Sequence, residues 1–257
     1  VTARREGEGG PGAIHRRQEP GLADPTLLLA FEGWNDAGEA ASLAARYVSD
    51  ELGTAPLAEI DPDPFFDFTV QRPKVVIDAG GARSVEWPGL DLRFGSLREG
   101  RDVVVGVGPE PHLCWRRYTD LVVAYAAELG VRRVLLLGAY LADVVYSRPV
   151  EISGFASNPA WLGELQVSAS RYEGPTGIVG VLGQRFQDEG LDVVSLWAGL
   201  PHYINATPNP RGALALVQTL AACLELKIDE APLVAQAAEY ERRTHELVNG
   251  DPELADY

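Results

Sequence analysis

Hydrophobic positions along this chain alternate between short solid runs and stretches with helical spacing. Thr26 to Phe31 is an apolar run bounded by polar residues, the pattern of a strand buried on both faces. Glu32-Gly33-Trp34-Asn35-Asp36 breaks the run as a turn. From Ala37 to Leu52, apolar and small residues recur at helical spacing through Ala41, Ala44, Ala45, Val48 and Leu52, with Asn35 or Asp36 placed to cap the helix. Proline- and glycine-rich turns then separate strand candidates at Leu57 to Ile60, Val75 to Ala79, Leu90 to Phe94 and Val103 to Val107. A helix is predicted from His112 to Leu129 with Gly130 closing it, and a strand from Val131 to Leu141. Asp143 to Gln166 reads as a long irregular connection, a length usually tied to function or to an interface. Gly174-Pro175-Thr176-Gly177 opens a helix to about Glu189, and Leu191 to Trp197 is a further buried strand. Helices from Arg211 to Leu226 and from Pro232 to Val248 close the chain. Strands and helices in alternation imply an α/β fold, a largely parallel sheet with helices on both faces. The expected organisation is a flexible polar tail over residues 1–22 and one domain over 23–257 that ends in a helical segment.

Composition narrows this picture. The chain has 257 residues, 46% hydrophobic and 23% charged, enough to bury one large core without a metal or disulfide. A net charge of −15 argues against nucleic acid and anionic membranes as partners. Its longest apolar stretches, such as Val134 to Ala142, are strand-length and short of the ~20 residues of a membrane helix. Cys114 and Cys223 both fall in amphipathic stretches and are expected as buried thiols, which fits a reducing cytoplasm. Lys74 and Lys227 are the only lysines among many arginines, a skew expected of a GC-rich bacterial genome.

Candidate chemistry gathers where strands end. Glu32, Asn35 and Asp36 lie between a strand's carboxyl end and a helix start, and His202 and Asn205 follow another strand. Open α/β sheets bind ligands at that edge, so these five form a candidate catalytic set for acid–base work. Their plainer reading is structural, since Asn and Asp cap helices and acids favour the positive helix end. Trp34 is a stacking platform or a packing residue. Gly174, Thr176 and Gly177 can cradle an anion on backbone N–H groups, or form a tight turn capped by Thr176. Gly177, Gly180 and Gly183 form a stripe suited to close helix packing. His112 and Arg116, read as sharing one helical face, join Asp143, Arg148 and Tyr203 as candidate ligand contacts, and the Arg148 guanidinium suits a carboxylate, a phosphate or an intersubunit salt bridge. His15 and His245 are expected to be inert. The sequence holds no P-loop, Gly-x-Ser-x-Gly elbow, His-Glu-x-x-His or Cys-x-x-Cys, and Pro111 replaces the third glycine of a dinucleotide fingerprint. No cofactor and no metal is expected.

Three segments carry a resemblance. Phe31-Glu32-Gly33-Trp34-Asn35-Asp36-Ala37-Gly38, the Gly174-Pro175-Thr176-Gly177 turn, and Trp197-Ala198-Gly199-Leu200-Pro201-His202-Tyr203 with Pro208-Asn209-Pro210 resemble, in order, motifs of the proteasome assembly chaperone 2 family. Gly108-Pro109-Glu110-Pro111 followed by Trp115 is similar to a further block of that family. Where the family's pattern has Pro-His-Thr-Arg-Pro, this chain reads Val145-Tyr146-Ser147-Arg148-Pro149, so Tyr146 stands in place of a histidine. The resemblance implies a three-layer α/β/α fold with a mostly parallel or mixed sheet, similar to phosphorylase/hydrolase-like proteins. It also implies self-assembly into homo-oligomers and a noncatalytic assembly or scaffolding role with other proteins. The position of the polar residues supplies the alternatives, a small-molecule hydrolase or ligase-associated enzyme, or a sensor of a small anion.

Overall fold

Apolar strands laid side by side form the centre of the computed structural model, which describes residues 13–97, 100–204 and 206–250. Four strands run parallel in the order β7 (Asp102–Pro109), β2 (Thr26–Glu32), β8 (Arg133–Ala142) and β11 (Asp192–Pro201). On one side β6 (Asp91–Ser96), β3 (Ala55–Ile60) and β1 (Ile14–Arg16) continue the sheet antiparallel. On the other, β9 (Ile152–Ala156) pairs antiparallel with β11, and the two-residue β10 (Ser168–Ala169) pairs parallel with β9. The result is a mixed nine-stranded sheet, more antiparallel at its flanks than the strand–helix alternation implies. A separate hairpin joins β4 (Lys74–Ile77) to β5 (Arg83–Glu86).

Side-chain alternation along the strands divides the core in two. Leu28 and Ala30 point to one face, with Leu135, Leu137, Val194 and Leu196, and are covered by α1 (Ala40–Glu51) and α5 (Pro210–Leu224). Leu27, Leu29 and Phe31 point to the other, with Val104, Val134 and Leu136, under α2 (Trp115–Glu128) and α4 (Ile178–Asp188). Each fully buried Leu or Phe contributes about 1.5–3 kcal/mol of apolar burial. The short α3 (Ala160–Glu164) and the long α6 (Ala231–Gly250) complete the fold, and α6 packs mainly on α5. Helices on both faces of a mixed sheet are the expected α/β class.

Several local expectations are corrected. Ile14–Arg16, placed in the polar tail, forms edge strand β1 on β3, and residues 1–12 lie outside the described residues. The span 143–166 is not wholly irregular, since it contains β9 and α3. Glycine breaks the apolar run of β9, and the strand lies so close to β11 that a Cβ on Gly154 would stand 2.3 Å from the Ser195 carbonyl oxygen. Cys223 is buried as expected, and burial pushes its thiol up to about 11. Cys114 instead is exposed just before α2, in a left-handed conformation with φ 54°. The helix therefore begins at Trp115, which leaves His112 outside it and separates His112 from Arg116.

Candidate functional site

The loops that follow β2, β7, β8 and β11 all leave the carboxyl edge of the parallel centre, and polar contacts stitch them together. The turn after β2 comes first. Its backbone reaches β8 through the Ala139 N–H, which donates to the Asn35 carbonyl at 2.8 Å, and it reaches β7 through the Glu110 N–H on the Glu32 carbonyl at 3.0 Å. Asn35 has no exposed surface. Its Nδ2 donates to Glu110 Oε1 at 2.7 Å, and the same oxygen accepts the Ile178 backbone N–H at the start of α4 at 2.7 Å. The Asn35 Oδ1 is buried without a hydrogen-bond partner.

This arrangement reassigns the start of α4. Thr176 does not cap it; the hydroxyl is 3.5 Å from the Gly177 carbonyl, and Gly177 is the N-cap with no side-chain bond of its own. The carboxylate of Glu110, distant in sequence, meets the helix's positive end, so the candidate anion cradle of Gly174, Thr176 and Gly177 already holds an anion from the protein itself. Gly177 is small because Asn35 presses on it, and an added Cβ would lie 2.3 Å from Oδ1. Of the glycine stripe, Gly183 backs onto Leu136, whereas Gly180 faces Thr176.

Asp36 is buried and accepts the backbone N–H groups of Ala41 at 2.7 Å and Ser42 at 3.3 Å, which makes it the side chain that caps α1. Burial raises its carboxyl above the usual range, against the lowering effect of those hydrogen bonds. A raised carboxyl adds stability in its protonated form, and that contribution is lost as pH climbs through the folded-state value. The variant Asp36→Asn carries no such charge, so its stability relative to wild type is expected to improve between about pH 4 and about pH 7. Urea melts at both ends of the range check this, and a difference that stays flat or falls contradicts it.

Farther along the edge, Asn209 caps α5 through Oδ1 on the Gly212 N–H at 3.0 Å, while its own N–H donates to the Gly38 carbonyl at 2.7 Å. Its Nδ2 reaches the Tyr240 hydroxyl of α6 at 3.1 Å. The Asn-Pro pair was the signature of this helix start, one residue ahead of where spacing placed it. A cleft of about 250 Å³ opens here, lined in part by Asp143, Tyr146, Arg148, Asn209, Arg211 and Tyr240. Arg211 holds the loop after β8, donating to the carbonyls of Tyr146 and of Arg148, the latter at 2.7 Å. The Tyr146 N–H donates to the Tyr203 hydroxyl at 2.9 Å, and the Tyr146 hydroxyl meets His245 Nδ1 at 2.8 Å. Tyr146 thus latches its loop to α6, and His245, expected to be inert, takes part.

The predicted residues therefore share an edge but not a single pocket. Glu32, Trp34 and His112 line a second depression of about 240 Å³ with Glu110. Asp143 and Arg148 line the cleft by α5. His202 sits past the end of β11, its N–H on the Ala142 carbonyl at 3.1 Å, and lines neither depression; nor do Asp36 and Arg116. Asn205 lies outside the described residues. Reasoning from sequence missed Glu110, Arg211 and Tyr240, of which only Glu110 lay in a flagged motif. Among the described residues no group of three His, Cys, Asp or Glu side chains is placed to hold a metal, and no helix is long and apolar enough to cross a membrane.

The fold and this stitched edge define a class of helix-covered mixed-sheet proteins. The model of the PAC2 family matches residues 30–248, and the chain belongs to that family. Among solved structures it is similar to a PAC2 family protein of Streptomyces avermitilis, at 38% identity over 91% of this chain and 99% of that one, with a TM-score of 0.84. A proteasome-assembly chaperone homologue of Mycobacterium tuberculosis is 37% identical over 90% of this chain and 99% of its own, with a TM-score of 0.81. The archaeal proteasome activator PbaB of Pyrococcus furiosus shares the fold at 18% identity, covering 92% of this chain and 98% of that one, with a TM-score of 0.74. No curated protein matches the chain.

Proposed function

We propose that this protein is a noncatalytic, self-associating assembly factor of the cytoplasm that acts on other proteins, with proteasome assembly as its setting. The observation that carries this reading is that Asn35, Glu110, Asp36 and Asn209 at the sheet edge are engaged in fastening loops and helix starts to one another. Glu110 Oε1 joins Asn35 to the α4 start, Asp36 caps α1, and Asn209 caps α5. In this reading Glu32, Asn35, Asp36 and His202 build and hold the loops rather than turn over a substrate. Membership of the PAC2 family and the likeness to the mycobacterial chaperone homologue support the assembly role. Exposed aromatic side chains at Tyr140, Phe155 and Tyr172 offer surface for contact between copies. Light scattering after size-exclusion chromatography is expected to give a mass that is a multiple of one chain at micromolar concentration, and a strict monomer removes self-association from the proposal. Adding the protein to a reconstituted proteasome assembly reaction is expected to speed the appearance of complete particles. An unchanged time course removes the assembly role.

A further inference from the structure

The depression at the ends of β2 and β7 lies where the chain turns to opposite faces of the sheet. The loop after β2 leads to α1 on one face, and the loop after β7 leads to α2 on the other. Such divergence opens a crevice at the strands' carboxyl ends, the place where α/β sheets receive ligands. Its chemistry leans toward acceptors, although Gln71 and His112 also line it and can donate. Pro109 and Pro111 have no N–H to offer. Glu110 spends Oε1 on Asn35 and Ile178, and its Oε2 makes no hydrogen bond among the described residues. Glu32 pairs with Arg46 through Oε1 alone. No Lys or Arg lines the crevice among the described residues, and beside these acceptors stands the indole of Trp34, 60% exposed.

A surface that sets two carboxylates beside an aromatic ring, with no Lys or Arg in its lining, matches a ligand that is flat, cationic and rich in N–H groups. We propose that this crevice binds the guanidinium of an arginine carried by a partner polypeptide, stacked on Trp34 with its N–H groups toward Glu32 and Glu110. Arginine fits better than lysine because its plane can lie on the indole while its edge presents several donors at once. A polypeptide source fits the surroundings, since Val70 and Leu113, each next in sequence to a lining residue, expose apolar side chains to a flanking chain. The chain's net charge of −15 draws a basic segment toward it. The inference rests on the crevice alone and stands whether or not the protein self-associates.

The test uses the full-length protein and the peptide acetyl-Ala-Ala-Arg-Ala-Ala-amide, with its citrulline counterpart and Nα-acetylarginine amide as comparisons. The indole N–H resonance of Trp34, assigned with the variant Trp34→Phe, reports the site, and calorimetry gives the affinity. A saturable shift with the arginine peptide is expected, with none from the uncharged citrulline peptide over the same range. Trp34→Ala and Glu32→Gln, both at solvent-accessible positions, are each expected to weaken binding about fivefold. Absence of saturable binding up to ~10 mM, well beyond a millimolar dissociation constant, overturns the proposal. Equal binding of the citrulline peptide overturns it too, as does an affinity that neither substitution changes. If acetylarginine amide binds as tightly as the peptide, the polypeptide source is overturned and the crevice takes a small guanidinium compound instead.

Discussion

Replacing Glu110 by Ala is expected to lower the unfolding free energy by roughly 3 kcal/mol or more, because two hydrogen bonds to a charged acceptor are lost at ~1.5–3 kcal/mol each. The loss is large for a specific reason. Asn35 is fully buried and already has one unpartnered oxygen, so removing Glu110 leaves its whole amide without a side-chain partner and strips the Ile178 N–H as well. Glu110→Gln keeps an acceptor oxygen for both donors and is expected to lose only about 1 kcal/mol, the charge-assisted part of the interaction. Urea denaturation of the two variants separates the cases. An Ala variant within about 0.5 kcal/mol of wild type contradicts the assignment of Glu110 as the link between the turn after β2 and the start of α4.

Gly177→Ala is the second change expected to act strongly. The new methyl would stand 2.3 Å from Asn35 Oδ1 and 2.5 Å from Nδ2, distances no Cβ tolerates, and Asn35 has buried surroundings on every side. Either the amide moves off Glu110 or the start of α4 shifts, so a cost of about 2–4 kcal/mol is expected from overpacking plus a broken charged hydrogen bond. Gly163→Ala is the matched control. That glycine lies within α3 and an added Cβ would meet nothing within 4 Å, so the same substitution is expected to be neutral or to stabilise by up to about 1 kcal/mol. Equal effects at the two positions would mean that Asn35 does not press on Gly177.

The same residues explain which parts of the molecule were legible beforehand. The buried parallel strands were readable because both of their faces are covered, which leaves solid apolar runs such as Leu27 to Phe31. Spacing alone also placed α5 within two residues of its ends and α1 within three, the first three positions predicted for α1 forming a short 3-10 turn instead. Of the flanking strands, β3 and β6 were readable as Leu57 to Ile60 and Leu90 to Phe94, whereas β1, β9 and β10 were not. Ile14-His15-Arg16 holds its place by pairing with Ala58, Glu59 and Ile60, and its own alternation is too short to register. β9 is short and its apolar run is broken by Ser153 and Gly154, the latter because close approach to β11 leaves no room for a Cβ there. For the site, turn chemistry pointed to Asn35 and Asp36 as capping residues, and Asp36 does cap α1. The partner of Asn35 could not be found that way. Glu110 lies 75 residues from Asn35 and 68 from Ile178, and only the folded sheet, which brings the ends of β2 and β7 side by side, joins them.

The account turns on the sheet-edge loops being fastened to one another through Asn35 and Glu110, and a double-mutant cycle measures that fastening directly. Asn35→Ala, Glu110→Ala and the double variant are compared with wild type by urea unfolding. The predicted coupling is at least about 1.5 kcal/mol, with the double variant costing little more than the worse single one. Costs that add to within about 0.5 kcal/mol would show the two side chains acting independently and would contradict the account.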